Sequence, residues 1–217
     1  MSSAAEASVE VRELFVHTAR VVRDAVAADV VARAWDEPSF LEDQTVGGLA
    51  GHLARGGVWV VGEYLDAPVP DAPFVDSAAN YFAQFAATAT PDSLREIRER
   101  GARVAAAGHR EVCETLAARL DALVARIVVE PVHRTLGVIG GAATMALDEY
   151  LKTRIVEQVV HLDDLARSLG RDPWPVSFEA QDLVIHIGID IARFRHGTVE
   201  TIRCLYRSRL DPVLPVV

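Results

Sequence analysis

Apolar residues recur at spacings of three and four along most of the chain, which is the period of an amphipathic α-helix. The first such stretch predicts a helix over residues 8–35, ended by Pro38 because proline disfavours helix at the residue before it. A second helix is predicted to begin at Thr45, a residue type that caps helix N-termini, and to reach about residue 64. Three prolines within residues 66–73 then predict a loop.

The helical period continues through the middle of the chain. Residues 77–127 predict a third helical region, with interruptions near Pro91 and near Gly108. Residues 130–142 contain one proline and three glycines, so they predict a connector.

Three further helices are predicted towards the C-terminus. The fourth helix covers residues 144–169 and is closed by Gly170, since glycine readily takes the left-handed conformation that ends many helices. A fifth helix follows over residues 177–196, and a short arginine-bearing helix over residues 199–209. Residues 211–217 are the only segment for which the pattern allows a strand.

This order of elements predicts an all-α fold, a four-helix bundle with a C-terminal helical extension. We expect one domain over residues 1–217, with a bundle core at about 8–170 and the extension at about 177–210. The 217 residues, half of them apolar, suffice for a single buried core. Because the apolar fraction is high for one bundle, a homodimer is also expected.

Charge and cysteine content exclude several classes of protein. With 22 basic and 31 acidic residues the net charge is −9, so we expect no nucleic-acid partner. The longest uncharged apolar stretch, residues 135–147, is shorter than the roughly twenty residues of a membrane span, and residues 1–13 lack the pattern of a signal peptide. We therefore expect no membrane partner. Cys113 and Cys204 are too isolated for a disulfide framework, so we expect reduced thiols in a cytoplasmic protein.

The fourth predicted helix carries a carboxylate and an imidazole four residues apart. Glu157 and His161 would lie about 40° apart around the helix and about 6 Å apart along it, close enough to bind a common metal ion. The alternative is an exposed hydrogen-bonded pair, which this spacing also gives. The apolar residues on either side predict partial burial, and a buried carboxylate needs a partner.

His52 on the second predicted helix offers a third ligand. It lies among five glycines in residues 47–57, which close helix packing or open space around an inward-facing histidine would explain. Two imidazoles and one carboxylate from facing helices would leave one position on a divalent ion for water or substrate, as in catalytic rather than structural zinc sites.

Two sequence motifs support this ligand set. Residues 45–53, TVGGLAGHL, resemble the T-V-x-x-L-x-x-H-L motif of the mycothiol-dependent maleylpyruvate isomerase family, and residues 154–165, RIVEQVVHLDDL, resemble its R-x-x-E-x-x-x-H-x-x-D-L motif. This family belongs to the DinB-like four-helix bundles, whose metal ligands come from these two helices. The resemblance, which extends over about residues 8–210, implies that His52, Glu157 and His161 bind the metal.

The resemblance also implies a chemistry. A divalent metal ion, with zinc as the expected one, would lower the pKa of a bound thiol, and mycothiol would be the cosubstrate. The thiolate would attack a small electrophile, in an isomerisation or in S-transfer. The same ligands would also suit a metal-bound hydroxide acting on an ester or amide. A non-catalytic helical bundle that binds a metal or a small molecule is the alternative.

Arg154, one turn before Glu157, is the candidate catalytic residue. It would orient Glu157 or bind a substrate carboxylate, and a simple surface role or a helix-stabilising role is the alternative. Other residues could extend the site, although ordinary structural roles account for each of them. They are Trp59 and Tyr64 as pocket or core residues, Asp163 and Asp164 as helix-capping residues, and Arg203, Arg207 and Arg209 as an anion-binding cluster or a solvated face.

Overall fold

The computed structural model describes residues 4–88 and 90–207, and these residues are mainly helical. The helices are α1 (Ala4–Val26), α2 (Asp29–Arg33), α3 (Val46–Ala54), α4 (Val60–Asp66), α5 (Ala78–Thr88), α6 (Pro91–Ala105), α7 (His109–Ile127), α8 (Leu147–Ser168), α9 (Phe178–His196) and α10 (Thr198–Tyr206). A π-helical turn, Arg55–Trp59, joins α3 to α4, and a 3-10 turn covers Ile139–Gly141. The strands are β1 (Phe74–Val75), β2 (Thr135–Val138) and β3 (Ala143–Ala146).

Four helical segments form the bundle, as the sequence predicts: α1, α3 with its continuation α4, α7 and α8. Helix α1 packs against α7 and α8, and α3 packs against α8. Their inward faces make one apolar core, in which the largest fully buried side chains include Phe15, Leu49, Leu53, Leu116, Leu120, Leu151 and Ile155. Helix α6 packs along α3, while α9 packs on α5 and α8 and carries α10. The predicted all-α, DinB-like bundle with a helical extension is confirmed.

Helix ends follow the local chemistry that the sequence predicts. Thr45 caps α3, since its side chain accepts a hydrogen bond from the backbone N–H of Gly48 at 3.0 Å. Gly170 lies just beyond α8 with φ +60°, which glycine adopts without strain. The helix predicted over residues 8–35 is wrong in one respect: Ala28 is extended and separates α1 from α2, and Val31 of α2 is fully buried.

The prediction that strands occur only at residues 211–217 is wrong, because the described residues contain a three-stranded sheet. The order is β1-β3-β2, with β1 parallel and β2 antiparallel to β3. The predicted connector is therefore largely a hairpin, whose turn is possible because Gly140 and Gly141 have positive φ. Strand β3 also delays the start of α8 to Leu147. Residues 211–217 themselves lie outside the described residues.

Arg12 of α1 ties the sheet-side end of the bundle together. Its buried guanidinium donates to the carbonyl of Ile127, the last residue of α7, and to the carbonyls of Glu130 and Pro131 at 2.6–3.0 Å. It also donates to the carboxylate of Asp148 at the start of α8, at 2.8 Å. One side chain thus hydrogen-bonds to carbonyls at the C-terminal end of α7 and just beyond it, where the helix itself supplies no N–H donor. No helix in the described part of the chain has the length and apolarity needed to cross a membrane.

Candidate metal centre

The structure brings His52, Glu157 and His161 together between α3 and α8. The carboxylate oxygen Oε2 of Glu157 lies 3.3 Å from Nε2 of His52 and 3.5 Å from Nε2 of His161. The two imidazole rings meet edge to face, with their centroids 4.8 Å apart. Helix α8 supplies two of the three side chains because residues four apart share a helix face, and bundle packing adds His52.

These distances fit a single metal ion. One potential ligand atom from each residue lies within 4.8 Å of the other two. With bonds of about 2.0–2.2 Å, two tetrahedral ligand atoms are roughly 3.3–3.6 Å apart, which is the separation that Oε2 of Glu157 has from both imidazole nitrogens. The side chains of His52, Glu157 and His161 are 16%, 21% and 21% exposed, so the cluster is mostly buried but reaches solvent.

Asp164 belongs to this cluster, whereas the sequence interpretation gave it only a helix-capping role. Its Oδ2 lies 2.9 Å from Nδ1 of His161, and its side chain is 12% exposed. A carboxylate at this nitrogen holds the ring so that Nε2 faces Glu157, the arrangement that many zinc-binding histidines have. The spacing of three residues could have indicated this contact. Asp163, by contrast, is exposed.

Hydrogen bonding shifts the pKa values of the cluster. Burial alone would raise the pKa of Glu157, but hydrogen bonds from His161 and His52 and the charge of Arg154 hold it well below its ordinary value. Burial would lower the pKa of His161, but hydrogen bonds to Asp164 and Glu157 raise it to about 9. A metal ion would replace the proton on His161 as the partner of the carboxylate.

The glycines around His52 serve two purposes. A Cβ atom on Gly51 would lie 2.5 Å from the carbonyl oxygen of Gly101, so these glycines let α6 pack closely on α3. A Cβ atom on Gly56 would meet the ring of His52, at 3.3 Å from Cε1, so this glycine leaves room for the imidazole. Both explanations of the glycine-rich stretch therefore hold, at different residues.

Arg154 is buried, with only 7% of the residue exposed, so the surface role is wrong. Its Nη1 donates to the carbonyl of Gly56 in the π-helical turn at 2.9 Å, and its Nε donates to the hydroxyl of Thr153 at 3.0 Å. The guanidinium lies 4.8 Å from the ring centroid of Tyr150 in a cation–π contact. Its charge helps to keep Glu157 ionised, as the lowered pKa of that group indicates.

Trp59 and Tyr64 have packing roles in the described structure. Trp59 is 7% exposed. The guanidinium of Arg119 lies over its ring, with the guanidinium carbon 4.7 Å from the ring centroid. The rings of Tyr64 and Tyr150 pack with their centroids 5.3 Å apart. The core interpretation accounts for both.

The C-terminal arginines lie on a different helix from the metal ligands. Arg203 on α10 forms an ion pair with Glu200 at 3.2 Å, and Arg207 donates to the carbonyl of Tyr206. Helix α10 packs on α9, while the cluster lies between α3 and α8. Arg209 lies outside the described residues.

Comparison with known proteins gives a family match. The model of the mycothiol maleylpyruvate isomerase N-terminal domain matches residues 16–166, which is more than half of the chain. The matched segment contains all three potential metal ligands. No curated protein matches the chain significantly, and neither does any solved structure.

Proposed function

This chain belongs to the mycothiol maleylpyruvate isomerase N-terminal domain family. From that premise we propose that it is a metal-dependent enzyme that uses a thiol, and mycothiol is the thiol we expect. The reaction would be S-transfer to a small electrophile or its isomerisation through a thiol adduct. The observation that supports this most directly is the single carboxylate oxygen of Glu157 facing two imidazole nitrogens at 3.3 and 3.5 Å.

His52, Glu157 and His161 would hold the ion, and their two nitrogens and one oxygen suit zinc. When bound, such an ion lowers the pKa of a coordinated thiol, so that the thiol reacts as thiolate near neutral pH. Three protein ligands leave a position for an outside ligand, and the partial exposure of all three side chains gives it access.

The other residues of the site would prepare the ligands. Asp164 fixes which nitrogen of His161 faces the metal, through the 2.9 Å contact with Nδ1. Hydrogen bonds from His161 and His52 lower the pKa of Glu157, and the charge of Arg154 adds to this effect, so the carboxylate is deprotonated as metal binding requires. We therefore assign Arg154 a supporting role in the site.

Metal content of the purified protein is the first test. We expect about one zinc per chain in the natural sequence, and loss of the zinc in His161→Ala. His186→Ala is the matched control, because His186 also has a carboxylate four residues earlier, Asp182, but is 67% exposed on α9. Protein that stays metal-free after incubation with zinc would refute the proposal.

Activity of the zinc-loaded protein is the second test. Mycothiol and other low-molecular-weight thiols would be offered with maleylpyruvate and with simple electrophiles, and consumption of the thiol or isomerisation of the acid followed. We expect turnover that disappears in His161→Ala. A zinc-loaded protein that accelerates none of these reactions would favour the non-catalytic binding bundle.

We also propose that α9 and α10 form the interface of a homodimer. Seven large apolar side chains of these helices are more than half exposed: Phe178, Ile185, Phe194, Val199, Ile202, Leu205 and Tyr206. Phe194 lies about 160–180° around α9 from Phe178 and Ile185, whereas the four exposed side chains of α10 lie within about 120° of one another. A cluster of exposed apolar side chains on one helix face is typical of an interaction surface.

Light scattering after size exclusion would test the dimer. We expect a dimer for the natural sequence and a monomer for Ile202→Glu. Val129→Glu is the control, because Val129 is 76% exposed but follows α7, away from α9 and α10. A natural protein that is monomeric at high concentration would refute the interface.

Two further expectations are proposals of the same kind. We propose that the core and the extension form one domain, because Ala180 of α9 lies in the same buried cluster as the bundle helices. We propose a cytoplasmic location, where Cys113 and Cys204 would remain reduced, as neither is in a disulfide.

A further inference from the structure

Two buried side chains of α8 hold the π-helical turn that follows His52. Arg154 donates to the carbonyl of Gly56 at 2.9 Å, and Gln158 donates through Nε2 to the carbonyl of Gly57 at 2.7 Å. Gln158 is completely buried, and Arg154 nearly so. Both acceptors are main-chain atoms, which cannot turn away from their donors as a side chain can.

The two hydrogen bonds lie beside the metal ligands on both helices. Their donors flank Glu157 along α8, and their acceptors follow His52 by four and five residues. Together they fix the position of α8 relative to the end of α3. The 3.3 Å separation between His52 and Glu157 depends on that position.

The glycines of the turn make this close approach possible. A Cβ atom on Gly57 would lie 3.3 Å from Cγ of Gln158, tighter than ordinary van der Waals contact. The turn itself has the wider hydrogen bonding of a π-helix, since the N–H of Val60 bonds to the carbonyl of Arg55. Such single turns within helices occur often at functional sites.

Among the described residues, only one of the two polar atoms of the Gln158 amide has a hydrogen-bond partner. Its Oε1 is buried and has no hydrogen-bond partner in the described part of the chain. Leaving a buried polar atom without a partner costs more free energy than one hydrogen bond typically returns. An apolar side chain of the same length would avoid that cost but would leave the carbonyl of Gly57 without its donor from α8.

We infer that Gln158 is a positioning residue for the metal ligands, which holds the π-helical turn so that His52 and Glu157 face a common ion. This inference rests on the proposed metal-dependent function. The amide acts through the backbone of Gly57 and does not itself touch the ion. Arg154 does the same one turn earlier, through Gly56.

The test is Gln158→Met, which keeps the length of the side chain and removes its hydrogen bonds. Cobalt(II) and zinc would be titrated into metal-free protein, with the visible absorption of bound cobalt reporting the ligand geometry. We expect at least about tenfold weaker binding of both ions and an altered cobalt spectrum. Thr201→Val is the control, because it removes another hydrogen bond from a buried side chain to a main-chain carbonyl. This bond joins Thr201 of α10 to Gly197, which precedes that helix.

The outcomes separate this inference from the function on which it rests. A natural protein that binds no metal refutes the proposed function. Tight binding by the natural protein, with the same affinity and cobalt spectrum in Gln158→Met, refutes the positioning role alone. Gln158→Asn, which keeps the amide but shortens its reach, gives the same comparison if Gln158→Met does not fold.

Discussion

Replacing Gly51 by alanine tests the contact between α3 and α6, the helix pair that frames His52. A Cβ atom at Gly51 would lie 2.5 Å from the carbonyl oxygen of Gly101 and 3.1 Å from the backbone nitrogen of Ala105. Ordinary contacts of this kind are 3.4 Å or longer. Both neighbours are main-chain atoms, so only a movement of α6 away from α3 can make room.

Two opposing effects determine how much Gly51→Ala changes the free energy of unfolding. Overpacking of this kind costs about 1–3 kcal/mol, whereas alanine gains about 0.5–1 kcal/mol over glycine within a helix. The free energy of unfolding should therefore fall by roughly 0–2.5 kcal/mol. The unfolding temperature should fall by at most about 10 °C, at about 2–4 °C per kcal/mol for a chain of this size.

Gly62→Ala provides the matched control, because Gly62 lies in α4 and a Cβ atom there would meet nothing within 4 Å. Only the helical preference acts at this position, so the unfolding temperature should rise by about 1–4 °C. Thermal unfolding followed by circular dichroism at 222 nm measures both variants. If Gly51→Ala is as stabilising as Gly62→Ala, close helix packing does not explain the glycine at this position.

Asp164→Asn should weaken zinc binding about 10–100-fold, because an amide replaces the carboxylate that holds Nδ1 of His161 at 2.9 Å. Competition with a chromophoric chelator measures the affinity, and an unchanged affinity would contradict the role of Asp164. Removing zinc with a chelator should lower the unfolding temperature of the loaded protein, since an ion at 100 times its Kd adds about 2.7 kcal/mol to the free energy of unfolding. The unfolding temperature of His161→Ala should not change with the chelator, and a change would mean that the ion binds elsewhere. In Cys204→Ser, the rate at which iodoacetamide alkylates Cys113 should still rise with pH above 9.0. The reason is that burial and the neighbouring Glu114 raise the pKa of this thiol above its ordinary 9.0. A rate that levels off at lower pH would be inconsistent with that shift.

The three strands show where sequence reasoning fails for the fold. Strand β1 at Phe74–Val75 pairs with Thr144 and Met145, about seventy residues later in the chain. Segments of two to four residues show no periodicity of their own, and long-range pairing stabilises them. The glycines of the 130–142 connector looked like loop residues, although Gly140 and Gly141 form the turn of a hairpin.

The residues of the candidate site also fall into two groups, those that the sequence indicates and those that only helix packing brings together. Sequence alone determined the elements that depend on neighbouring residues: the helices, the cap at Thr45, and the pairing of Glu157 with His161, because four residues bring two side chains to one face of a helix. The glycine-rich stretch around His52 suggested this residue as a third ligand, and the motifs supported it by resemblance. Asp164 was within reach of the same spacing argument and was missed.

Tertiary structure alone decided how the helices meet. His52 and Glu157 are 105 residues apart, and their 3.3 Å contact exists only because α3 and α8 pack in one position. That position depends on the carbonyls of the π-helical turn, which carry no side-chain signal, and on the buried amide of Gln158. Local patterns determine which side chains share a helix face, whereas the packing of main-chain atoms between helices determines which faces meet.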